Sequence, residues 1–315
     1  MKRRAALALI LMLPGAWAVG QAGNQRGLPP VLRRAISAAK TLRFTGHRIV
    51  TVLRDGQSSR HEEIVMRDGP RLRIEFPSNG AYAGQVIVEN GQERRHFLPA
   101  ANEIRTLPTR REEGLKRLRA IARNGRVTTE AGDRISGLET VEVVVRDAAG
   151  NLLQRLAIEP DSGMVLRRRV YNATGTEVGG FVFTKVDLNP GPFDPSLFRI
   201  ERRGAKLTTP WDELRKVAAR AGFAPVGLPE STGYRLDTVR VARLLDGPVL
   251  VQTYIGPGGR LSLYQVKAVV SPDRLRREAR GVVRTLSWSA DGRNFVLLGP
   301  QDDSTLAKLK ASVGR

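Results

Sequence analysis

Between Arg43 and Leu188 the chain alternates apolar and polar residues in short runs, each closed by a turn rich in Gly, Asp or Asn. RLRIEF (71–76) is the plainest run, with Leu72, Ile74 and Phe76 in one phase and Arg71, Arg73 and Glu75 in the other. Successive side chains of a strand point to opposite faces, so this period of two predicts a sheet with one buried and one wet face. FTGHRIVTVL, SSRHEEIVMR, QVIVEN, ERRHFL, NEIRTL, RVTTEAGDRISGLETVEVVVRD, LLQRLAIEP, MVLRRRVYN and EVGGFVFTKVDL continue it. Asp55-Gly56, Asp68-Gly69, Ala149-Gly150-Asn151, Asp161-Ser162-Gly163 and Thr174-Gly175 read as the turns between them. About ten strands joined by hairpins predict a meandering antiparallel sheet rather than a βαβ fold.

Two stretches switch to helical spacing. After Pro29-Pro30, residues Val31, Leu32, Ala35, Ile36, Ala39 and Leu42 fall on one side of a helix. In RREEGLKRLRAIAR (110–123), Leu115, Leu118, Ile121 and Ala122 make a narrow apolar stripe. The proline-rich NPGPFDPSLF closes a first domain over 29–200, and 201–208 reads as a linker. A second, smaller α+β domain, 209–315, opens on a helix with Thr209 as N-cap, Pro210 in the first turn and Gly222 at the stop. Strands follow in RLDTVRVARLL, PVLVQTYIG, RLSLYQVKAVV, GVVRTLSWS and RNFVLLG, and DDSTLAKLKASVG ends as a helix. The fold class is mainly β with helices, α+β.

Lys2, Arg3 and Arg4, the apolar run AALALILML, the breakers Pro14 and Gly15, and Ala16-Trp17-Ala18 follow the order of an export signal. The expectation is a signal peptide over 1–18, with cleavage after Ala22 as second choice. Its apolar run is too short for a bilayer span, which takes about 20 residues. No cysteine follows the site, so no lipid anchor is expected and the product reads as exported and soluble.

Charge and composition narrow the function. Lys and Arg number 52 against 31 Asp and Glu, a formal charge of +21 over 315 residues. The excess is spread over both domains and aromatics are only 5%, so no stacking platform for nucleic acid is predicted. A cationic surface suits an acidic partner or contact with an anionic membrane surface. The absence of cysteine excludes a disulfide scaffold, thiolate metal sites and a cysteine nucleophile. His47, His61 and His96 are the only imidazoles. His61-Glu62-Glu63 starts like a zinc-helix motif, lacks the second His and lies in a period-two stretch. Glu112-Glu113 suits the positive end of a basic helix. No catalytic residue, metal or cofactor is expected, and the chain reads as a non-enzyme.

A bent sheet carrying helices on its inner face encloses either a filled core or a cavity for a ligand. The candidate lining is Leu72, Ile74, Phe76, Val86, Val88, Val141, Val143, Val145, Phe181 and Phe183.

Glu159-Pro160, Ser162-Gly163, Arg167, Phe181-Val182-Phe183-Thr184 and Asp194-Pro195-Ser196-Leu197-Phe198 together resemble the end of the N-terminal domain of periplasmic regulators of sigma-E, the RseB/MucB type. GLPESTGYRL, VQTYIGPGGRLSLYQVK and WSADGRNFVLLGPQDDSTLAKLKASV resemble that family's C-terminal module. LPEST departs from the family by placing polar residues where it has a small residue and an aromatic, so contacts to a partner are not carried over residue by residue. The resemblance implies the unclosed antiparallel β-barrel of LolA-like carriers, with a helical lid and an apolar pocket for acyl chains. It implies a periplasmic location, with the periplasmic part of a membrane-anchored anti-sigma factor as partner. The expected function is an exported sensor or adaptor that binds lipid or lipoprotein acyl chains and modulates that factor in envelope stress signalling. A periplasmic lipoprotein carrier, which needs only the first domain, and an exported hydrolase of envelope polymers are the alternatives.

Overall fold

The computed structural model of the protein describes residues 28–54, 57–77, 80–91, 93–109, 126–172, 174–244, 247–266 and 284–314. The expected export signal and the expected helix over 110–123 lie outside the described residues.

The first half of the chain forms β1 (Arg43–Arg54), β2 (Gln57–Asp68), β3 (Arg71–Glu75), β4 (Val86–Glu89), β5 (Glu93–Leu98) and β6 (Glu103–Pro108). It continues as β7 (Arg126–Ala131), β8 (Val141–Arg146), β9 (Leu152–Ile158), β10 (Val165–Tyr171) and β11 (Glu177–Asp187), with β12 (Lys206–Thr208) after a proline-rich connection. All twelve join one sheet in the order β12-β6-β5-β4-β3-β2-β1-β11-β10-β9-β8-β7. Hairpins account for the sequential neighbours; β1 pairing with β11 unites the two runs, and β12 alone pairs in parallel, with β6. The end strands β12 and β7 do not meet, so the sheet is an unclosed barrel wall.

Cross-strand partners share a face. Val143, Leu156, Arg168 and Phe181 are successive partners across β8, β9, β10 and β11, and Phe181 pairs on to Val50 and His61. Helix α1 (Pro30–Thr41) packs on this inner face: its Leu32, Ala35 and Ile36 bury against Val143, Val145, Leu156 and Ile158. The helix comes close because residue 163 is glycine: a Cβ there would lie 2.8 Å from the Arg34 carbonyl carbon, and its φ is +73°. The Asp161-Ser162-Gly163 turn is held by Glu159, whose carboxylate accepts from the N–H groups of Asp161 (2.9 Å) and Ser162 (2.6 Å).

The second sheet contains β13 (Arg235–Leu244), β14 (Gly247–Gly256), β15 (Gly259–Val266), β16 (Arg284–Ala290) and β17 (Arg293–Gly299), in the order β13-β14-β15-β17-β16. Helices α2 (Pro210–Ala221) and α3 (Asp303–Ser312) share one core with it, built from Leu214, Ala218, Leu250, Tyr254, Leu263, Leu297, Leu306 and Leu309. Thr209 and Asp212 form a reciprocal capping box at the start of α2, and Gly222 ends it in the left-handed conformation. Asp302 caps α3 by accepting from the Thr305 N–H at 2.7 Å. Residues 206–208, within the stretch read as a linker, bind the first sheet: Thr208 Oγ1 donates to Glu103 at 2.7 Å, and Arg105 reaches Glu213 of α2 at 3.8 Å.

Candidate functional site: the inner face of the first sheet

Strand β11 sets Phe181 and Phe183 two residues apart, on the same side of the sheet. Their ring centroids are 5.8 Å apart, edge to face, and Phe183 meets Phe44 of β1 at 5.7 Å. Glycine at 46 makes room for this, since a Cβ would sit 2.9 Å from Phe183 Cδ1 and 2.7 Å from the Lys185 carbonyl oxygen. Phe76, beyond the end of β3, stacks obliquely on Tyr82 at 5.5 Å, and the His61 ring lies 4.8 Å from Tyr82. Val65, Ile74 and Ile87 complete this side with Met164 and Leu166. Edge-to-face rings of this kind gain about 0.5–1.5 kcal/mol a pair beyond their buried area.

A charge pair lies among the rings. The Arg48 guanidinium is 4.9 Å from the Phe181 centroid, and its Nε donates to Glu63 Oε2 at 2.7 Å. The other carboxylate oxygen accepts from His61 Nε2 at 3.0 Å. Glu63 is buried, at 7% exposure. Burial raises its proton affinity, but the Arg48 charge and the hydrogen bonds from His61 and Arg48 outweigh it and hold the carboxyl below its ordinary value. Arg48 and Glu63 thus neutralise each other, and the surface around them is aromatic and aliphatic. Such a face suits a hydrocarbon chain, with a fixed dipole for an ester or amide group.

Of the ten candidate lining residues, Leu72, Ile74, Phe76, Phe181 and Phe183 come together here. Val143 and Val145 are on the same face but lie under α1, which fills the space above them. Val141 is half-buried and belongs to none of the core clusters. Val86 and Val88 are a correction. They pair with Glu75 and Arg73, whereas Ile87 pairs with Ile74, so both point to the outer face. There they pack on Phe97, Ile104, Phe198 and Ile200. β4 (VIVE) is buried on both sides, so its composition carries no sign of which side faces in.

Arg48, His61, Glu63, Phe44, Val65 and Tyr82 are additions to that set. The sequence does hold a signal for the ion pair: Phe44, Gly46, Arg48 and Val50 are in phase, as are His61, Glu63 and Val65. Opposite charges therefore occupy inward positions of adjacent hairpin strands. His96, a buried imidazole, shares a hydrogen bond with Gln85 at 2.8 Å. Burial, with the neighbouring charges of Arg94 and Arg105, pulls its pKa down to about 3, so it is neutral. Among the described residues, no cluster of three or more His, Asp or Glu could hold a metal ion, and no helix is long and apolar enough to cross a membrane.

No family model matches the chain, and no curated protein does. Among solved structures, the chain is similar to MucB in complex with MucA(peri), at 19% identity and a TM-score of 0.45, with 90% of this chain and 96% of that one covered. It is similar to the MucA/MucB complex of Pseudomonas aeruginosa at 17% identity, with the same TM-score of 0.45 and the same coverage of 90% and 96%. A LolA superfamily protein from Nitrosomonas europaea matches at 13% identity and a TM-score of 0.28, over 54% of this chain and 96% of that one.

Proposed function

We propose that the chain is a non-catalytic periplasmic adaptor that holds an acyl chain of a lipid or lipoprotein on the inner face of its first sheet. Residues 29–200 and 209–315 act as two domains joined by 201–208. The second domain docks on the periplasmic part of a membrane-anchored anti-sigma factor. Ligand and partner are linked: an acyl chain that favours one arrangement of the domains changes partner affinity by the same factor as the partner changes acyl affinity. The observation that carries this reading is the ring-lined inner face of an open sheet, whose buried Arg48–Glu63 pair is already neutralised from within.

Delipidated protein should take up a dansylated undecanoic acid, with displacement by palmitate. Phe181→Ala, which removes a half-buried ring from that face, should weaken uptake about tenfold, the order expected for losing one aromatic contact. Native mass spectrometry of protein purified from a periplasm should show a co-purified lipid mass. No uptake by folded, delipidated protein would overturn the reading.

A further inference from the structure

The segment following the first run of strands leaves a surface that the inner-face reading does not use. Residues 199–206 (RIERRGAK) contain Arg199, Arg202, Arg203 and Lys206 against a single acid, Glu201. All four cations are exposed, and none makes an ion pair with a described residue. The next residue, Leu207, is 68% exposed, the largest exposure among the exposed large apolar side chains of the described residues. It is not an isolated apolar side chain. Val86, Phe97, Ile104 and Leu207 are successive cross-strand partners on the outer face, so Leu207 is the open end of a buried apolar row.

β12 is also an edge. Among the described residues it has β6 on one side and no strand on the other. Lys206 donates its N–H to the Asn102 carbonyl. Backbone groups of successive strand residues point to opposite sides, so the N–H and C=O of Leu207 point away from β6. On the same outer face, over β4 and β5, a cleft of about 150 Å³ is lined by Val88, Asn90, Glu93, Arg95, Phe198 and Arg199. Glu93 is occupied by Arg95 at 2.7 Å, which leaves Arg199 as the cation there without an ion pair.

We propose that the β12 edge and segment 199–206 form a docking strip for an extended acidic peptide. The peptide would pair with the free N–H and C=O of Leu207, cover its side chain with an apolar residue, and set carboxylates against Arg199, Arg202, Arg203 and Lys206. A lipid surface would use the cations but has no backbone to pair with the strand and no use for a cleft of side-chain size. The strip rests on the partner-binding half of the proposed function and adds to it a contact outside the second domain: an acidic, extended segment of the partner lies along the joint that precedes that domain.

The test uses the full chain and a fluorescein-labelled peptide of alternating Glu and Val, twelve residues long, with a Lys/Val peptide and phosphatidylglycerol vesicles as comparisons. The acidic peptide should bind, and affinity should fall as salt rises. Arg199→Glu with Arg202→Glu should weaken it at least tenfold. Leu207→Pro removes the outward N–H together with the leucine side chain and keeps the bonds to β6, at an edge position where proline is tolerated, and should weaken it by a similar factor. Leu207→Ala should cost less. Circular dichroism and melting confirm that each variant folds. Equal binding by the wild type and all variants, no binding at all, or preference for the vesicles would each overturn the strip. Dansyl-acid uptake measured on the same samples separates the two ideas. Lost uptake with retained peptide binding sinks the acyl reading alone, and retained uptake with no peptide binding sinks the strip alone.

Discussion

At Gly163 the turn and the helix compete for the same space. The backbone sits at φ +73°, and α1 passes within contact of where a Cβ would be. Gly163→Ala should therefore cost about 2–4 kcal/mol, strain and overpacking together. Gly175 has a similar φ of +78° and nothing within 4 Å, so Gly175→Ala should cost only about 1 kcal/mol. Urea unfolding of the two variants measures the difference, and equal costs would refute the close-packing account. The buried Arg48–Glu63 pair predicts a second contrast. Glu63→Gln strands the Arg48 charge and should cost about 2–4 kcal/mol, while Arg48→Met with Glu63→Leu should cost much less. Because the Glu63 carboxyl is held below its ordinary value of 4.5, its contribution is complete above that pH and disappears as pH falls through the folded value. His96 acts in the same direction over a higher window. The fold keeps it neutral, so stability is unaffected above 6.5 and drops as pH falls from 6.5 toward about 3. The slope is about 1.4 kcal/mol per pH unit. Chemical denaturation at pH 6.5 and 5 should show the wild type losing about 2 kcal/mol more than His96→Gln.

Elements defined by local signals were legible in the sequence. T-P-W-D at 209–212 becomes the capping box of α2, and Thr209→Ala should cost about 1 kcal/mol, read from the shift in the unfolding midpoint. The hairpins marked by Asp68-Gly69 and by Gly256–Gly259 sit where turn chemistry puts them. Alternation put Leu72, Ile74 and Phe76 in one phase and Phe181 and Phe183 in another, and in the structure all five share one core cluster. It failed for VIVE, where both faces are dry and the outer cover comes from Phe198, more than a hundred residues away in the chain. That cover explains the Asp-Pro-Ser-Leu-Phe motif physically. Asp194 accepts from the Ser196 N–H at 2.8 Å to start a single turn, and Phe198 then seats under Arg71, 4.8 Å from its ring centroid. The ion pair among the rings was hidden for a related reason: charged residues in phase with valines look like irregular alternation until their cross-strand partner is known.

For the whole molecule, the connection between the sheets is short and directly bonded. β12 pairs with β6 over Lys206, Leu207 and Thr208, and its parallel register is set by residues some hundred positions earlier, so no local signal announced it. Thr208→Val removes the bond to Glu103 and should speed amide hydrogen exchange in β12 while leaving the protection of β14 and β15 unchanged. Uniformly faster exchange in both sheets would mean that the connection supports the whole fold.

Thr208, the last residue paired with β6, is followed at once by Thr209, the cap of α2. No slack separates the final rung of one sheet from the first turn of the helix that carries the other. The second half of the molecule can therefore swing as a body only by parting Arg105 from Glu213 and then unzipping this three-residue rung or bending at Thr209 itself. A molecule bound along β12 would stiffen that joint, as a splint does, and so hold the two halves at one fixed angle.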